Sequence, residues 1–367
     1  MGKLSAFLYR NKLYIALALF ILLINLASTA EKRLQKERAG KTEQLAAEKD
    51  EEAAPAEEKK AKKGELFDEE DISARQEKIQ KLSETDPVFY IFIGLVNLAI
   101  LFVILVGFIL DGYFLVRLFR REPLRIRLQE QDKPRWTPGD VVRVALIFLA
   151  SGYAIIIVQA FLSHIFPILR NENFRMVFNT AMMNLIGISV IVYFVVDKYG
   201  QDISQIGLTA KGFRKAVFYA AVGYICLVPV LFLIMLGTYF VTQLIEYRPP
   251  VQPIVEVFME EKETVVLWLS TVFAAVFGPI AEEIFFRGFM YGALKKSLGV
   301  FWGMMLTAAV FAMLHAHAVG FLPIMMLGLL LAYLYEKTGS LVSSMTVHIM
   351  HNLAMVVLVF MMRGIGT

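Results

Sequence analysis

Long apolar runs separated by short polar segments dominate the hydropathy pattern of this chain. A helix needs about 20 apolar residues to cross a bilayer. The pattern predicts membrane spans over 13–26, 88–110, 144–169, 176–196, 216–245, 302–314, 322–335 and 341–361. A further crossing, 265–296, contains Pro279 and several charged residues, and we expect a fresh helix to begin at this proline. The predicted fold is an all-α polytopic membrane helix bundle, with about eight transmembrane spans plus this motif-bearing helix.

Composition and charge agree with a membrane protein. Of the 367 residues, 57% are hydrophobic and only 19% are charged. Basic residues cluster in the loops 111–139 and 197–215, a distribution that sets topology and marks the cytoplasmic side. The net charge of +4 is too small to indicate a nucleic-acid partner. We therefore predict a multi-pass protein, of the plasma membrane, whose first partner is the lipid bilayer.

The chain divides by composition into four parts. Residues 1–30 combine basic residues with an apolar run, which fits either an uncleaved anchor helix or a secretory signal peptide. Residues 31–86 are rich in Glu, Lys and Ala, which predicts a charged soluble arm, or alternatively a coiled-coil partner site. Residues 87–135 hold the second span and a basic loop, and 136–367 form the remaining membrane domain.

Charged side chains interrupt the broken crossing at Glu282, Glu283 and Arg287. Ionisable groups at membrane depth are costly and need partners, a water-filled cavity or a function. Glu283 and Arg287 are four residues apart, so they share a helical face and can pair. Glu282 is rotated by about 100° from Glu283 and has no base at its own fourth position. One glutamate is therefore predicted to be neutralised within its helix, while the other faces a different group.

Candidate partners for Glu282 lie on two later helices. His315 ends one predicted helix, and His348 and Asn352 share a face of the last one. In a bundle, such faces can converge on one buried polar pocket. His351 lies either in that pocket or beside it. We predict that Glu282, His315, His348 and Asn352 surround a single cavity.

These residue types allow only a narrow chemistry. A carboxylate with an imidazole can take a proton from water, and an imidazole with a carboxamide can stabilise an oxyanion. Such a glutamate mechanism requires no cofactor. A zinc version stays open, with Glu282, His315 and His348 as ligands, although the HExxH motif is absent. Other interpretations are a non-catalytic scaffold, a peptide-binding immunity protein, or a transporter, which would need ionisable residues along a path across the bilayer.

Three ordered motifs carry a family resemblance. Glu282-Glu283-x-x-x-Arg287, Phe311-x-x-x-His315 and His348-x-x-x-Asn352 resemble the CPBP family of type II CAAX prenyl proteases and bacteriocin-processing proteins. The likeness covers roughly residues 200–362, so it identifies 136–367 as a CPBP-like intramembrane protease domain.

The resemblance implies an endopeptidase that cleaves a membrane protein or a lipid-anchored peptide. It implies that Glu282 and His315 activate the water and that His348 and Asn352 bind the oxyanion. It further implies that Glu283 and Arg287 are structural supports. The family's members have been described both as metalloproteases and as metal-independent, so the resemblance leaves zinc open.

Charge distribution also predicts where the site opens. The 111–139 loop, Lys295 and Lys296 fall on the cytoplasmic side, and the 31–86 arm falls outside. Helix rise places Glu282 at a depth of about 20 Å from that side, but His348 at only about 10 Å. A helix tilt or an earlier start of the last helix would close this gap. We expect substrate to enter from the cytoplasm or from the inner leaflet.

Overall fold

The computed structural model describes residues 11–26, 29, 81–122, 133–247, 249 and 252–366. Helices make up all the regular secondary structure of these residues, so the predicted all-α fold is confirmed. Most of the predicted soluble arm, 31–80, lies outside the described residues.

Ten helices organise the described chain. The first six are α1 (Lys12–Leu26), α2 (Pro87–Phe119), α3 (Pro138–Leu162), α4 (Glu172–Val192), α5 (Phe213–Leu244) and the short α6 (Pro253–Glu260). The motif-bearing helix α7 covers residues 264–298, and α8 covers 300–314. The last two are α9 (Phe321–Thr338) and α10 (Leu341–Gly366).

Length and hydropathy allow seven helical segments of the described chain to cross a membrane. They are α2, α3, α4 with its extension to Lys198, α5, the joined pair α7 and α8, α9, and α10. Helix α1 is apolar but shorter. The protein is therefore an integral, multi-pass membrane protein.

Gly299 separates α7 from α8. The segment Thr264–Leu314 has 51 residues, and a straight helix of that length would measure about 77 Å, far more than a bilayer. Gly299 has φ +82°, a conformation that favours glycine. A Cβ atom on Gly303 would lie 3.1 Å from the Cα of Lys295, so the chain folds back on itself there. The separate helix predicted over 302–314 is confirmed.

The predicted break at Pro279 is wrong. The helix runs through this proline because the preceding turn, Phe273–Phe277, widens to a π-helix. The N–H of Gly278 donates to the carbonyl of Phe273, five residues earlier instead of four. A widened turn of this kind changes which carbonyl groups accept backbone hydrogen bonds, so the helix can accommodate the missing N–H of a proline.

Helix α1 packs in parallel along α3, one polar contact near each end. The Arg143 guanidinium donates to Asn11 Oδ1 at 2.8 Å, and Asn25 Nδ2 donates to the Tyr153 hydroxyl at 2.7 Å. The segment predicted as a span over 13–26 is therefore a helix of the bundle, but it is shorter than the seven candidate membrane spans. Its role as an uncleaved anchor or as a signal peptide stays a prediction.

A buried carboxylate, which the hydropathy pattern does not reveal, fixes the start of α3. Asp140 accepts hydrogen bonds from Thr137, Arg143, Lys198 and Tyr199, and each of the two nitrogen side-chain donors lies at 2.7 Å. Burial and the hydrogen bond to Asp140 raise the pKa of Tyr199 to about 12, so its hydroxyl stays a donor. This cluster ties α3 to the end of α4.

Polar contacts gather the predicted cytoplasmic groups at one end of the bundle. Lys295 Nζ lies 2.6 Å from a carboxylate oxygen of Glu336, and Lys296 Nζ donates to the Pro134 carbonyl at 3.0 Å. The residue after α9, Gly339, caps that helix with φ +70° at the same end. Lys295 and Lys296 therefore lie at one end of the bundle, as predicted, and Glu336 lies there with them.

Helix α2 lies against α5 where Gly107 meets Pro229. A Cβ atom at Gly107 would lie 2.5 Å from the Ile225 carbonyl oxygen and 2.7 Å from the Pro229 ring. We expect Gly107→Ala to destabilise the fold by about 1–3 kcal/mol, because backbone must move to admit the methyl group. Thermal unfolding in detergent measures the effect.

Gly112→Ala, on the same helix, is the matched control. A Cβ atom at Gly112 would meet nothing within 4 Å beyond the neighbouring backbone of its own helix. Equal melting temperatures for the two variants would show that α2 does not pack closely on α5.

Candidate active site

The site is built around the first of two π-helical stretches of α7, Phe273–Phe277. Since the Gly278 N–H donates to Phe273, it is not available to the Ala274 carbonyl. The next residue along, Pro279, has no N–H to offer. Asn352 Nδ2 from α10 donates to this orphan carbonyl at 2.8 Å. The amide of Asn352 thus joins α10 to the turn that precedes the glutamates, and its second N–H donates to no residue that the structure describes.

Directly after this turn lies a buried ion pair. Arg287 Nη1 is 2.6 Å from Glu283 Oε1, and both side chains are fully buried. The pairing that their four-residue spacing predicts is therefore present. Buried charges need such partners because the desolvation penalty is several kcal/mol per ion.

Arg287 also connects α7 to the two following helices. Its Nη2 donates to the Gly328 carbonyl of α9 at 3.2 Å, and its guanidinium carbon lies 4.5 Å from the centre of the Phe311 ring on α8. A Cβ atom on Gly328 would lie 3.2 Å from Ala308, which shows how closely α8 and α9 approach each other. The Arg287 guanidinium thus contacts residues on three helices, α7, α8 and α9.

His348 lies between the two glutamates. Its Nδ1 is 3.0 Å from Glu283 Oε1, and its Nε2 is 3.8 Å from Glu282 Oε2. The imidazole is almost completely buried, whereas 36% of the Glu282 side chain is exposed. The two adjacent glutamates therefore differ as the helical rotation predicts. One pairs with Arg287, whereas the other lies beside His348, where its buried Oε2 has no hydrogen-bond partner among the described residues.

The Glu283 carboxylate determines the tautomer of neutral His348. An ionised carboxylate only accepts hydrogen bonds, so the imidazole must donate Nδ1–H to it. In the neutral ring, Nε2 then carries a lone pair and accepts. In the imidazolium form, Nε2–H becomes a donor on the side of Glu282. The state of this nitrogen decides whether His348 acts as a base or as a donor.

The predicted depth mismatch between Glu282 and His348 disappears because the helices are inclined. Helix α10 begins at Leu341, as expected, so an earlier start is not the reason. His348 on α10 contacts Glu283 on α7. Asn352, four residues after His348, contacts Ala274, which lies nine residues before Glu283. Those steps correspond to about 6 Å on α10 and about 13 Å on α7. The inclination brings His348 to the glutamates.

His315 occupies the exposed end of α8. Its Nδ1 is 2.8 Å from the Phe311 carbonyl, so Nδ1 donates and Nε2 is the free acceptor. The Phe311 ring contacts both imidazoles, with centroid distances of 4.8 Å to His315 and 5.5 Å to His348. In the described residues, no hydrogen bond or ion pair joins His315 directly to Glu282. The structure brings Glu282, Glu283, Arg287 and His348 into contact. The Phe311 ring lies between His315 and His348.

The residues do not form a ready metal site. In the part of the chain that the structure describes, no three His, Cys, Asp or Glu side chains are arranged to hold a metal ion. Glu282, His315 and His348 therefore do not fit the zinc ligand set that the sequence left open.

Sequence reasoning missed one further polar contact. The Tyr224 hydroxyl of α5 lies 3.3 Å from His351 Nδ1. Tyr224 belongs to an apolar run and matches no motif, so only the packing of α5 against α10 brings it to the site.

Comparison with known proteins now adds to this geometry. Residues 264–354 match the family model described as Type II CAAX prenyl endopeptidase Rce1-like. We refer to this segment, for its similarity to that family, as the Rce1-like domain. It begins with α7 and ends just beyond Asn352, so it contains every residue of the three motifs but not Tyr224. The resemblance to the CPBP family is confirmed for this segment.

One curated relative is YdiL of Bacillus subtilis (strain 168), a protein described by name as a membrane peptidase. It is 29% identical over 90 residues, which are 24% of this chain and 37% of YdiL. The chain thus spans little more than a third of that relative. No solved structure matches the chain significantly. Helices α1 to α6 lie outside the Rce1-like domain.

Proposed function

We propose that this protein is an intramembrane endopeptidase that hydrolyses a peptide bond of a membrane-associated substrate. The observation that carries the proposal is the position of His348 between a buried, paired glutamate and a half-exposed one. A structural ion pair would need Glu283 and Arg287 alone. The additional carboxylate of Glu282 is partly exposed, and its Oε2 lies buried beside an imidazole with no hydrogen-bond partner among the described residues, which suits a reacting water.

Glu282 is the proton acceptor in this proposal. Its carboxylate takes a proton from the water as the oxygen attacks the scissile carbonyl. His315 presents Nε2 as a second acceptor for that water. Glu282 then returns the proton to the leaving amine, so no covalent intermediate forms.

The oxyanion is stabilised by N–H groups on α10. His348 donates from Nε2 in its imidazolium form, with Glu283 holding the opposite nitrogen. Two carboxylates against one guanidinium leave one negative charge in the cluster, and the imidazolium balances it. Asn352 supplies the N–H that Ala274 does not use. Preorganised donors of this kind each contribute about 10²–10³-fold to the rate.

The substrate is a transmembrane or lipid-anchored peptide that reaches the site within the bilayer. The similarity to CAAX prenyl endopeptidases supports a lipid-anchored peptide. Comparison of membrane peptides in cells that express the wild type or Glu282→Ala identifies the substrate. A peptide that accumulates uncut only in the variant supports the proposal, and identical peptide sets would favour a scaffold.

The membrane orientation can be tested separately in a Cys226→Ala background. We expect a membrane-impermeant maleimide to label Glu263→Cys on intact cells, because Glu263 is exposed at the end of α7 opposite Lys295. Ser297→Cys, exposed at the basic end, should be labelled only after permeabilisation. The reverse pattern would place the basic loops outside and contradict cytoplasmic entry. We propose the plasma membrane as its location.

A further inference from the structure

His351 shares a helical face with His348, one of the two α10 residues of the proposed oxyanion site. It follows His348 by three positions and directly precedes Asn352. Residues three and four apart on a helix have Cβ atoms about 5–6 Å apart. His351 therefore lies near His348, although none of the three motifs specifies it.

Tyr224 on α5 contacts the His351 ring through its hydroxyl and its aromatic ring. Its hydroxyl lies 3.3 Å from Nδ1, and the two rings meet edge to face at 6.0 Å. This is the ring's only hydrogen bond to the described part of the chain. Nδ1 and Nε2 lie on different edges of an imidazole, so Nε2 points away from Tyr224. When the hydroxyl donates to Nδ1, the proton of the neutral ring must be on Nε2.

The other two donors are each conditional. His348 donates from Nε2 only when it is protonated, since Nδ1–H is committed to Glu283. Asn352 already spends one of its N–H groups on the Ala274 carbonyl. A neutral His351 held by Tyr224 needs no proton uptake and keeps its Nε2–H free.

We propose that His351 is a catalytic residue that donates a hydrogen bond from Nε2–H to the oxyanion. Tyr224 is the positioning residue that holds its tautomer. This inference rests on the proposed endopeptidase function and adds to it a donor from the Rce1-like domain and an orienting residue from outside that domain. The other reading, that the pair only ties α5 to α10, is the alternative that the experiments must exclude.

Nitrogen NMR of the full-length protein tests the tautomer without any substrate. With ¹⁵N-labelled histidine in detergent micelles, the neutral His351 ring should show a protonated Nε2 and an unprotonated Nδ1. The spectrum of His351→Gln assigns the signals. In Tyr224→Phe, the tautomer preference should weaken or disappear. A wild-type ring protonated on Nδ1 overturns the inference, whatever the protein cleaves.

Kinetics with the peptide found to accumulate in Glu282→Ala cells test the role. We expect His351→Leu to lower kcat by about 10²-fold with little change in KM, because the lost contact forms only in the transition state. His351→Gln keeps an N–H donor and should retain more activity than His351→Leu. A structural tie predicts equal losses for both variants, and that result would overturn the inference.

Tyr219→Phe is the matched control for Tyr224→Phe, since it removes a hydroxyl from the same helix. Only Tyr224→Phe should lower kcat, and we expect about a tenfold loss. Equal kcat for the two variants overturns the positioning role. Failure of the proposed function looks different: Glu282→Gln would cleave as fast as the wild type, while the NMR result would stay valid.

Discussion

Glu282→Gln is expected to abolish peptide cleavage and to leave the protein folded. The amide keeps the size and shape of the side chain but cannot take a proton from water. The side chain is 36% exposed, and its nearest charged partner, His348 Nε2, is 3.8 Å away, so little folding energy depends on its charge. Losing the base should lower kcat by at least about 10²–10⁴-fold.

The measurement pairs single-turnover cleavage with the melting temperature in detergent. Glu260→Gln is the control, because Glu260 is an exposed glutamate on α6, remote in sequence from the motifs. Residual cleavage near the wild-type rate, with an unchanged melting temperature, would remove Glu282 from the mechanism.

Glu283→Gln is expected to act on folding before it acts on chemistry. The substitution leaves Arg287 charged, fully buried and without its 2.6 Å partner. Breaking one half of a buried pair typically costs about 3–5 kcal/mol, which is a large part of the stability of a protein. Folded yield after detergent extraction should fall strongly, and the melting temperature of the remaining protein should fall with it.

Removing both charges separates the pair from its neighbours. Glu283→Gln combined with Arg287→Met should be less destabilising than the sum of the single variants, because no unpaired charge stays in the core. Additive losses would show that the two residues do not depend on each other. Equal folded yields for Glu283→Gln and Glu282→Gln would contradict the division between the two glutamates.

Hydropathy predicted the helices well because lipid imposes a simple rule. A segment in the bilayer must satisfy its backbone internally and present apolar side chains, so the helix positions can be read from composition. The pairing of Glu283 with Arg287 was equally accessible, since four residues of helix bring them together. Both are local properties of the chain.

The errors and omissions concern contacts between distant segments. Pro279 suggested a helix break because its missing N–H is visible in the sequence, whereas the π-turn that accommodates it is not. Asp140 has no signal in the hydropathy pattern, yet it is buried and accepts hydrogen bonds from Lys198 and Tyr199. Whether His315 or His348 meets Glu282 depends on helix inclination, which spacing alone does not determine.

The hydrogen bond from Asn352 to Ala274 has an evolutionary consequence. It exists because Gly278 is diverted to Phe273 and Pro279 has no N–H to give. A related chain with an ordinary residue at 279 regains that donor and no longer needs an amide from α10 at this carbonyl. Positions 279 and 352 should therefore covary among homologues, even though 72 residues separate them. If Asn352 persists regardless of the residue at 279, selection acts on its second N–H, which points to the reaction instead of the backbone.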